Sequence, residues 1–325
     1  MFKVSQSKVK TWRQCRQAYH FREVEGLRRK KPSRPLTFGT IVHEMLDSKI
    51  NGNDPFKKLA TIAKTNAKEF RAAREEYGDI VQDVETIMRE YWEFYKKDGL
   101  TYLRHENKTA EHSFEMTLVK GIKLKGKIDA FAELPTGLRA LVEHKTFNRM
   151  PSEDHRWRNM QSAIYHHVAR ELEVELDGTL WDYIRSKPPG VPPVLKNGST
   201  SIKEVESLPS VIAATLKERG QAKDKKYTSL IDRANADRKK WFVRQFNRVR
   251  PAVIDSLTSD FIDTAKEMAL LHGKSKTKTI DRHCEWCQFE PLCRAEIQGH
   301  DVAFTKRSEY RVEENPFDYH EKTED

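Results

Sequence analysis

Residues 113–147 read SFEMTLVKGIKLKGKIDAFAELPTGLRALVEHKTF, and this stretch decides the fold. Apolar and polar residues alternate on both sides of Lys120-Gly121, the pattern of two strands joined by a tight turn. Pro135-Thr136-Gly137 marks a second turn, and Leu138–Phe147 reads as a third strand. Successive side chains on a strand point to opposite faces, so Glu143 and Lys145 share one face. A neighbouring antiparallel strand ending at Ile128-Asp129 can set Asp129 beside them. Charges next to Leu141 and Val142, in a core strand, are costly unless they are paired or functional.

Two carboxylates can hold Mg²⁺ or Mn²⁺ through oxygen ligands. Such a cation lowers the pKa of bound water and polarises a phosphoryl oxygen. A lysine beside the water can orient it or balance charge in the transition state. Asp129, Glu143 and Lys145 therefore suffice for phosphodiester hydrolysis. The spacing D-x(13)-E-x-K alone is weak in a chain this rich in Glu and Lys, and an ordinary cross-strand salt bridge explains it equally well.

Working outward, Gly39-Thr40-Ile41-Val42-His43 opens a helix read as starting near Phe38, with Ile41, Met45 and Leu46 facing the core. Residues 54–98 form a helical block in which Ile80, Val84, Ile87, Met88 and Tyr91 recur at helical spacing. After the third strand, a helix over 157–172 carries Gln161 and Tyr165 at i and i+4, where both tips can reach one patch. Gly178–Ile184 is a further strand. Ser5–Leu27 reads as one helix, with Trp12, Cys15, Tyr19 and Phe21 near one face. Arg28–Pro35 is a basic loop. Val205–Leu271 reads as a polar helical insertion.

The chain has 325 residues, of which 37% are hydrophobic and 10% aromatic, enough to bury a core and too many for disorder throughout. Lys and Arg exceed Asp and Glu by 59 − 49 = 10, which favours a polyanionic partner. The runs RRKKPSR (28–34) and RKKWFVRQFNRVR (238–250) could hold phosphates, with Trp241, Phe242 and Phe246 stacking on bases. A solvated helix face with its core stripe explains either run as well. The N-terminus MFKVSQSKVK lacks a signal-peptide core, and no stretch reaches the roughly 18 apolar residues of a membrane span. A soluble, cytoplasmic protein of a bacterial or phage-infected cell is expected, with no membrane partner.

Taken together, the G-x-x-x-H, D…E-x-K and Q-x-x-x-Y motifs, in that order, resemble the RecB-like branch of the PD-(D/E)XK nucleases over residues 5–184. The resemblance implies an α/β restriction-endonuclease-like core, a mixed central sheet flanked by helices, with large helical insertions. It implies that His43, Asp129, Glu143 and the His144 backbone carbonyl hold the metal, that Lys145 is catalytic, and that Gln161 and Tyr165 contact DNA or steady the site. Ile128 stands where many PD-(D/E)XK proteins have proline, as in other RecB-like members.

The four cysteines are Cys15, Cys284, Cys287 and Cys293. Spacing alone allows zinc or an iron–sulfur cluster. One N-terminal cysteine and a C-terminal triplet bracketing the core resemble the iron-staple nucleases, the AddB-type helicase–nucleases and the exonucleases of CRISPR adaptation. That resemblance implies a structural [4Fe–4S] cluster, ahead of zinc, with Trp286, Phe289 and Leu292 packed around it. It also implies a single nuclease domain over 1–325. Residues 1–50 carry the first cysteine and G-x-x-x-H, and 51–100 form a helical insertion. The catalytic core occupies 110–185, a second helical insertion 200–272, the cysteine cluster 280–300 and an acidic tail 313–325. No Walker A motif is present, so the expected activity is that of a stand-alone, possibly phage-encoded DNA exonuclease in repair, recombination or phage DNA processing. A recombination or single-strand-binding protein is an expected partner. A structure-selective endonuclease and a non-catalytic DNA-binding module are the alternatives.

Overall fold

The computed structural model describes residues 1–313 apart from Pro32 and Glu204. The hairpin read from the sequence is its centre: β4 (Ala110–Val119) and β5 (Ile122–Glu133) pair antiparallel across Lys120-Gly121. Gly121 has φ +85°, the left-handed region a tight turn of this kind needs and that glycine enters freely. β6 (Arg139–Phe147) returns antiparallel to β5 and runs parallel to β7 (Gly178–Arg185). β1 (Phe2–Val4) and β3 (Thr101–Leu103) also pair with β5, and β8 (Phe242–Arg248) closes the far edge against β7. The result is a mixed sheet ordered β1-β5-β6-β7-β8, a restriction-endonuclease-like α/β core. A separate ribbon joins β2 (Leu27–Arg29) to β9 (Tyr310–Val312).

Helices cover both faces. On one, Met160–Glu171, Pro251–Leu271 and Gln6–Gln14 pack over Leu124, Phe131 and Leu141. On the other, Arg34–Ile50 and Ile80–Phe94 bury Ile41, Met45, Leu46, Val84 and Ile87 against Ile184, Trp241 and Phe242. The Asp79 carboxylate caps the second of these, accepting from the Gln82 N–H at 3.1 Å. Asn159 caps Met160–Glu171 in the same way, accepting from the Ser162 N–H at 3.2 Å. Among the described residues, no helix is long and apolar enough to cross a membrane.

Several expectations are corrected. Ser5–Leu27 is not one helix: the chain breaks at Cys15, which is extended (φ −164°, ψ 117°), and ends in a π-turn over His20–Val24. The break leaves Cys15, Tyr19 and Phe21 all buried. The helix carrying His43 begins at Arg34, with Pro35 in its first turn, where the missing N–H costs no hydrogen bond. The 200–272 segment is not wholly a helical insertion. It contains β8, and its last helix belongs to the core. Basic residues hid that strand, because one of them, Arg244, points inward to a buried carboxylate. Trp241 and Phe242 are core residues, unavailable for base stacking. In the run 28–34, Arg28 pairs with Glu313, Arg29 with Glu309, Lys31 with Glu76 and Arg34 with Asp83, so these cations serve internal contacts. Of the acidic tail, Glu313 bonds through its N–H to the Gly26 carbonyl at 2.9 Å; residues 314–325 lie outside the described residues.

One buried polar network ties the sheet to the Ile80–Phe94 helix. Asp182 of β7 is fully buried and accepts from the Tyr91 hydroxyl. It also faces His144 Nδ1 at 2.9 Å and Arg244 Nε at 3.2 Å. Arg244 reaches on to Asp98 and, at 2.7 Å, to the Tyr91 oxygen. Burial would raise Asp182, but Arg244, His144 and Tyr91 bring its carboxyl down to about 2. Removing Asp182 leaves the Arg244 charge and the His144 ring without their buried partner. Asp182→Ala is therefore expected to lower unfolding free energy by roughly 3–5 kcal/mol, against about 1 kcal/mol for Tyr91→Phe, measured by urea denaturation. A second test concerns β8. A Cβ on Gly178 would meet the Asn247 carbonyl oxygen at 2.3 Å, so Gly178→Ala is expected to cost at least about 2 kcal/mol by forcing the edge strand away.

Candidate active site

The β5–β6 ladder ends at the pair Ala130↔Val142. Asp129 precedes that pair on one strand and Glu143 follows it on the other, so the two carboxylates stand opposite each other on one face. Beyond this point the strands part. Asp129 Oδ2 accepts the His144 backbone N–H at 2.9 Å, replacing the ladder bond that the separation removes.

The helix Arg34–Ile50 crosses this point. Gly39 permits the approach: a Cβ there would lie 3.2 Å from Thr146 Oγ1 of β6. One turn later, His43 Nδ1 stands 3.5 Å from Asp129 Oδ1. The rings of His43 and His144 lie edge to face, 6.3 Å apart. A narrow cleft here is lined by His43, Asp47, Glu111, Asp129 and His144. The wider cavity lined by Leu103, Arg104, His105 and Arg139 shares none of these residues.

On the other side, Lys145 bonds through Nζ to Glu143 Oε1 and donates to Gln161 Oε1 at 3.2 Å. The Tyr165 hydroxyl meets Gln161 and the backbone at Lys127. Its ring packs edge-on against Phe114, 5.8 Å between centroids. Gly126 leaves the room for this, since a Cβ there would meet the Phe114 ring at 2.7 Å. Tyr165 is buried, so it backs Gln161 and presents no open face.

The charges are strongly coupled. Burial would push Asp129 up, but His43, His144 and Lys145 hold it well below the usual carboxylate range. Burial raises Glu143 against the pull of Lys145, and Asp129 adds to the rise. Burial would lower Lys145, yet Glu143 and Asp129 raise it. Burial would likewise lower His43, and Asp129 outweighs it. Among the described residues, no three His, Cys, Asp or Glu side chains stand in a metal-holding arrangement. Lys145 is folded onto Glu143, and His43 is turned onto Asp129. The second Glu143 oxygen, Oε2, is nevertheless buried and without a hydrogen-bond partner, the mark of an acceptor suited to a cation. The donor set of two opposed carboxylates and an imidazole fits Mg²⁺ or Mn²⁺.

The sequence pattern did not single out Asp182, Tyr91 or Arg244. Asp182 orients His144 from behind, and its signal was a lone carboxylate within the apolar strand TLWDYI, the same argument that marks Glu143.

The cysteines form a second focus. Cys15, Cys287 and Cys293 share an apolar cluster with Phe21, Leu27, Phe289, Leu292 and Tyr310. Cys287 lies near Cys15 and Cys284. Burial, with Cys15 and Cys287 beside it, pushes the Cys293 thiol up to about 12. Phe289 and Leu292 are buried here as expected. Trp286 is not: it is 72% exposed, on a short 3₁₀ turn where Arg282 covers its ring.

A comparison with the curated proteins finds no match. Among solved structures, one described as "Crystal structure of SSO0001" is similar at 15% identity over 78% of this chain and 84% of that chain. The TM-score of that pair is 0.28. The profile of the PD-(D/E)XK nuclease superfamily matches residues 3–294, a span that contains His43, Asp129, Glu143, Lys145, Gln161, Tyr165 and all four cysteines. The chain belongs to the PD-(D/E)XK nuclease superfamily, whose membership implies metal-dependent nuclease activity on DNA.

Proposed function

We propose that this chain is a metal-dependent DNA exonuclease of the RecB-like branch, acting from DNA ends in repair, recombination or phage DNA processing. The observation that carries the reading is the opposition of Asp129 and Glu143 where β5 and β6 part, with Lys145 beside them. His43, Asp129, Glu143 and the His144 carbonyl would hold Mg²⁺ or Mn²⁺. When bound, the cation supplies charge neutralisation at the phosphoryl group and a lowered pKa for water.

The chain's own residues do the rest. Lys145 would orient the attacking water and offset charge on the phosphoryl oxygens. Gln161 holds that ammonium at 3.2 Å, and Tyr165 braces Gln161 from below. The Asp129 bond to the His144 N–H pins the main chain on the near side of the residue whose carbonyl would face the cation, and Asp182 fixes the ring of the same residue. The G-x-x-x-H histidine favours an exonuclease over a structure-selective endonuclease, and the intact Asp129, Glu143 and Lys145 favour catalysis over a binding module.

The same reading places a structural [4Fe–4S] cluster, in preference to zinc, on Cys15, Cys284, Cys287 and Cys293. Its support is the gathering of three of these thiols in one apolar cluster that joins the two ends of the chain. Closing so long a loop restricts the unfolded ensemble.

With Mn²⁺, the protein is expected to degrade end-labelled linear DNA and leave covalently closed circles intact. EDTA should stop the reaction, and Lys145→Ala should reduce it by roughly a hundredfold or more. Cutting of closed circles would instead indicate the endonuclease, and no metal-dependent cleavage of any DNA would remove both. For the cysteines, the purified protein should be brown, with broad visible absorbance that Cys287→Ala bleaches. A colourless protein with stoichiometric zinc would contradict the cluster.

A further inference from the structure

β6 ends at Phe147, just past Lys145, and the chain crosses residues 148–159 before the helix Met160–Glu171 brings Gln161 back to the site. This connection is anchored. Arg156 is buried, its guanidinium beside the Tyr183 phenol of β7 and 3.4 Å from the Glu153 carboxylate. A turn closes around it, with the His155 N–H on the Ser152 carbonyl at 3.1 Å and the Arg156 N–H on that of Glu153 at 3.0 Å.

On this anchored turn, Trp157 faces outward and is 65% exposed. Its indole N–H donates to Asp154 Oδ1 at 3.2 Å, which fixes the orientation of the ring. Met150, at the other side of the connection, is 40% exposed. The cations around them are unspent: Lys10, Arg149 and Arg158 are exposed and have no ion-pair partner among the described residues. The two acids of the turn are engaged, Glu153 by Arg156 and Asp154 by the indole. His155, on the same turn, lies within electrostatic reach of Lys10, Lys145, Arg158 and Arg156, which with burial hold its imidazole below the ordinary value.

A single exposed aromatic carries little weight. Here the ring is held in place by Asp154, on the connection that leads from Lys145 to Gln161, with Lys10 and Arg158 close to its turn at His155 and Arg149 on the same connection. We propose that Trp157 is a stacking platform for an unpaired base of the strand being cut, with Arg149, Arg158 and Lys10 holding the flanking phosphates. The inference rests on the nuclease reading and narrows its substrate to single strands or frayed ends. A base paired in a duplex keeps its faces stacked on its neighbours and cannot lie on the indole, whereas an unpaired base of any sequence can.

The test uses the full chain in EDTA, so that binding is read without cleavage. Fluorescein-labelled oligothymidylate and a hairpin-capped blunt duplex are titrated by anisotropy. Trp157→Ala is expected to weaken oligothymidylate binding roughly tenfold, the size of one base–aromatic stack, while Trp157→Phe retains most of it. Binding of the capped duplex should be little changed. The exposed position predicts an unaltered thermal midpoint for both variants. Unchanged oligothymidylate binding in Trp157→Ala, or an equal loss on both DNAs, overturns the platform. If the wild type still cleaves DNA with Mn²⁺, that result leaves the nuclease reading standing. A wild type that neither binds nor cleaves any DNA overturns both.

Discussion

A hydrogen bond from the His144 backbone N–H to the Asp129 carboxylate, 2.9 Å long, fixes the place where β5 and β6 part. An antiparallel pair that simply continued would bury its next residues in the ladder. Here the last pair is Ala130↔Val142, and the residues beyond it are two acids facing each other. The Asp129 side chain takes over the bond the main chain gives up, so the separation leaves no buried donor orphaned. Gly39 then lets a helix settle against β6 at this point, and that contact brings His43 to Asp129.

Holding two carboxylates in a buried place needs compensating charge, and the fold provides it from both faces. Lys145, steadied by Gln161, answers Glu143 on one side, and His43 answers Asp129 from the other. Behind the strand, Asp182 with Arg244 and Tyr91 forms a second, fully buried network that grips His144. The two networks meet in one residue: the His144 main chain belongs to the site, and its ring belongs to the scaffold. Buried groups of this kind are worth little as isolated pairs and a great deal once one partner is lost.

The central hairpin was legible because its alternation is clean and its turn residues are specific: Lys120-Gly121 and Pro135-Thr136-Gly137 bound the strands that the structure shows. Asp129, Glu143, His43, Lys145 and Gln161 were legible through order and spacing, and the structure brings them to one point. β8 was not, since its inward Arg244 breaks the apolar alternation that marks a strand, and only the distant Asp182 and Asp98 make that arginine acceptable in the core. The break at Cys15 was hidden for a similar reason. The apolar residues on both sides keep helical spacing, while the extended backbone between them answers to packing against Phe289 and Leu292 far along the chain. Trp286, which the iron-staple resemblance placed around the cysteines, is instead carried outward by a short turn.

The opposed pair at the strand separation is the place built for a divalent cation. Calorimetric titration of the full chain with Mn²⁺ tests this without any DNA. Saturable binding in the wild type that disappears in both Asp129→Asn and Glu143→Gln, and survives in Gln161→Ala, is the predicted result. Undiminished Mn²⁺ binding in a folded Asp129→Asn, Glu143→Gln double variant would contradict it.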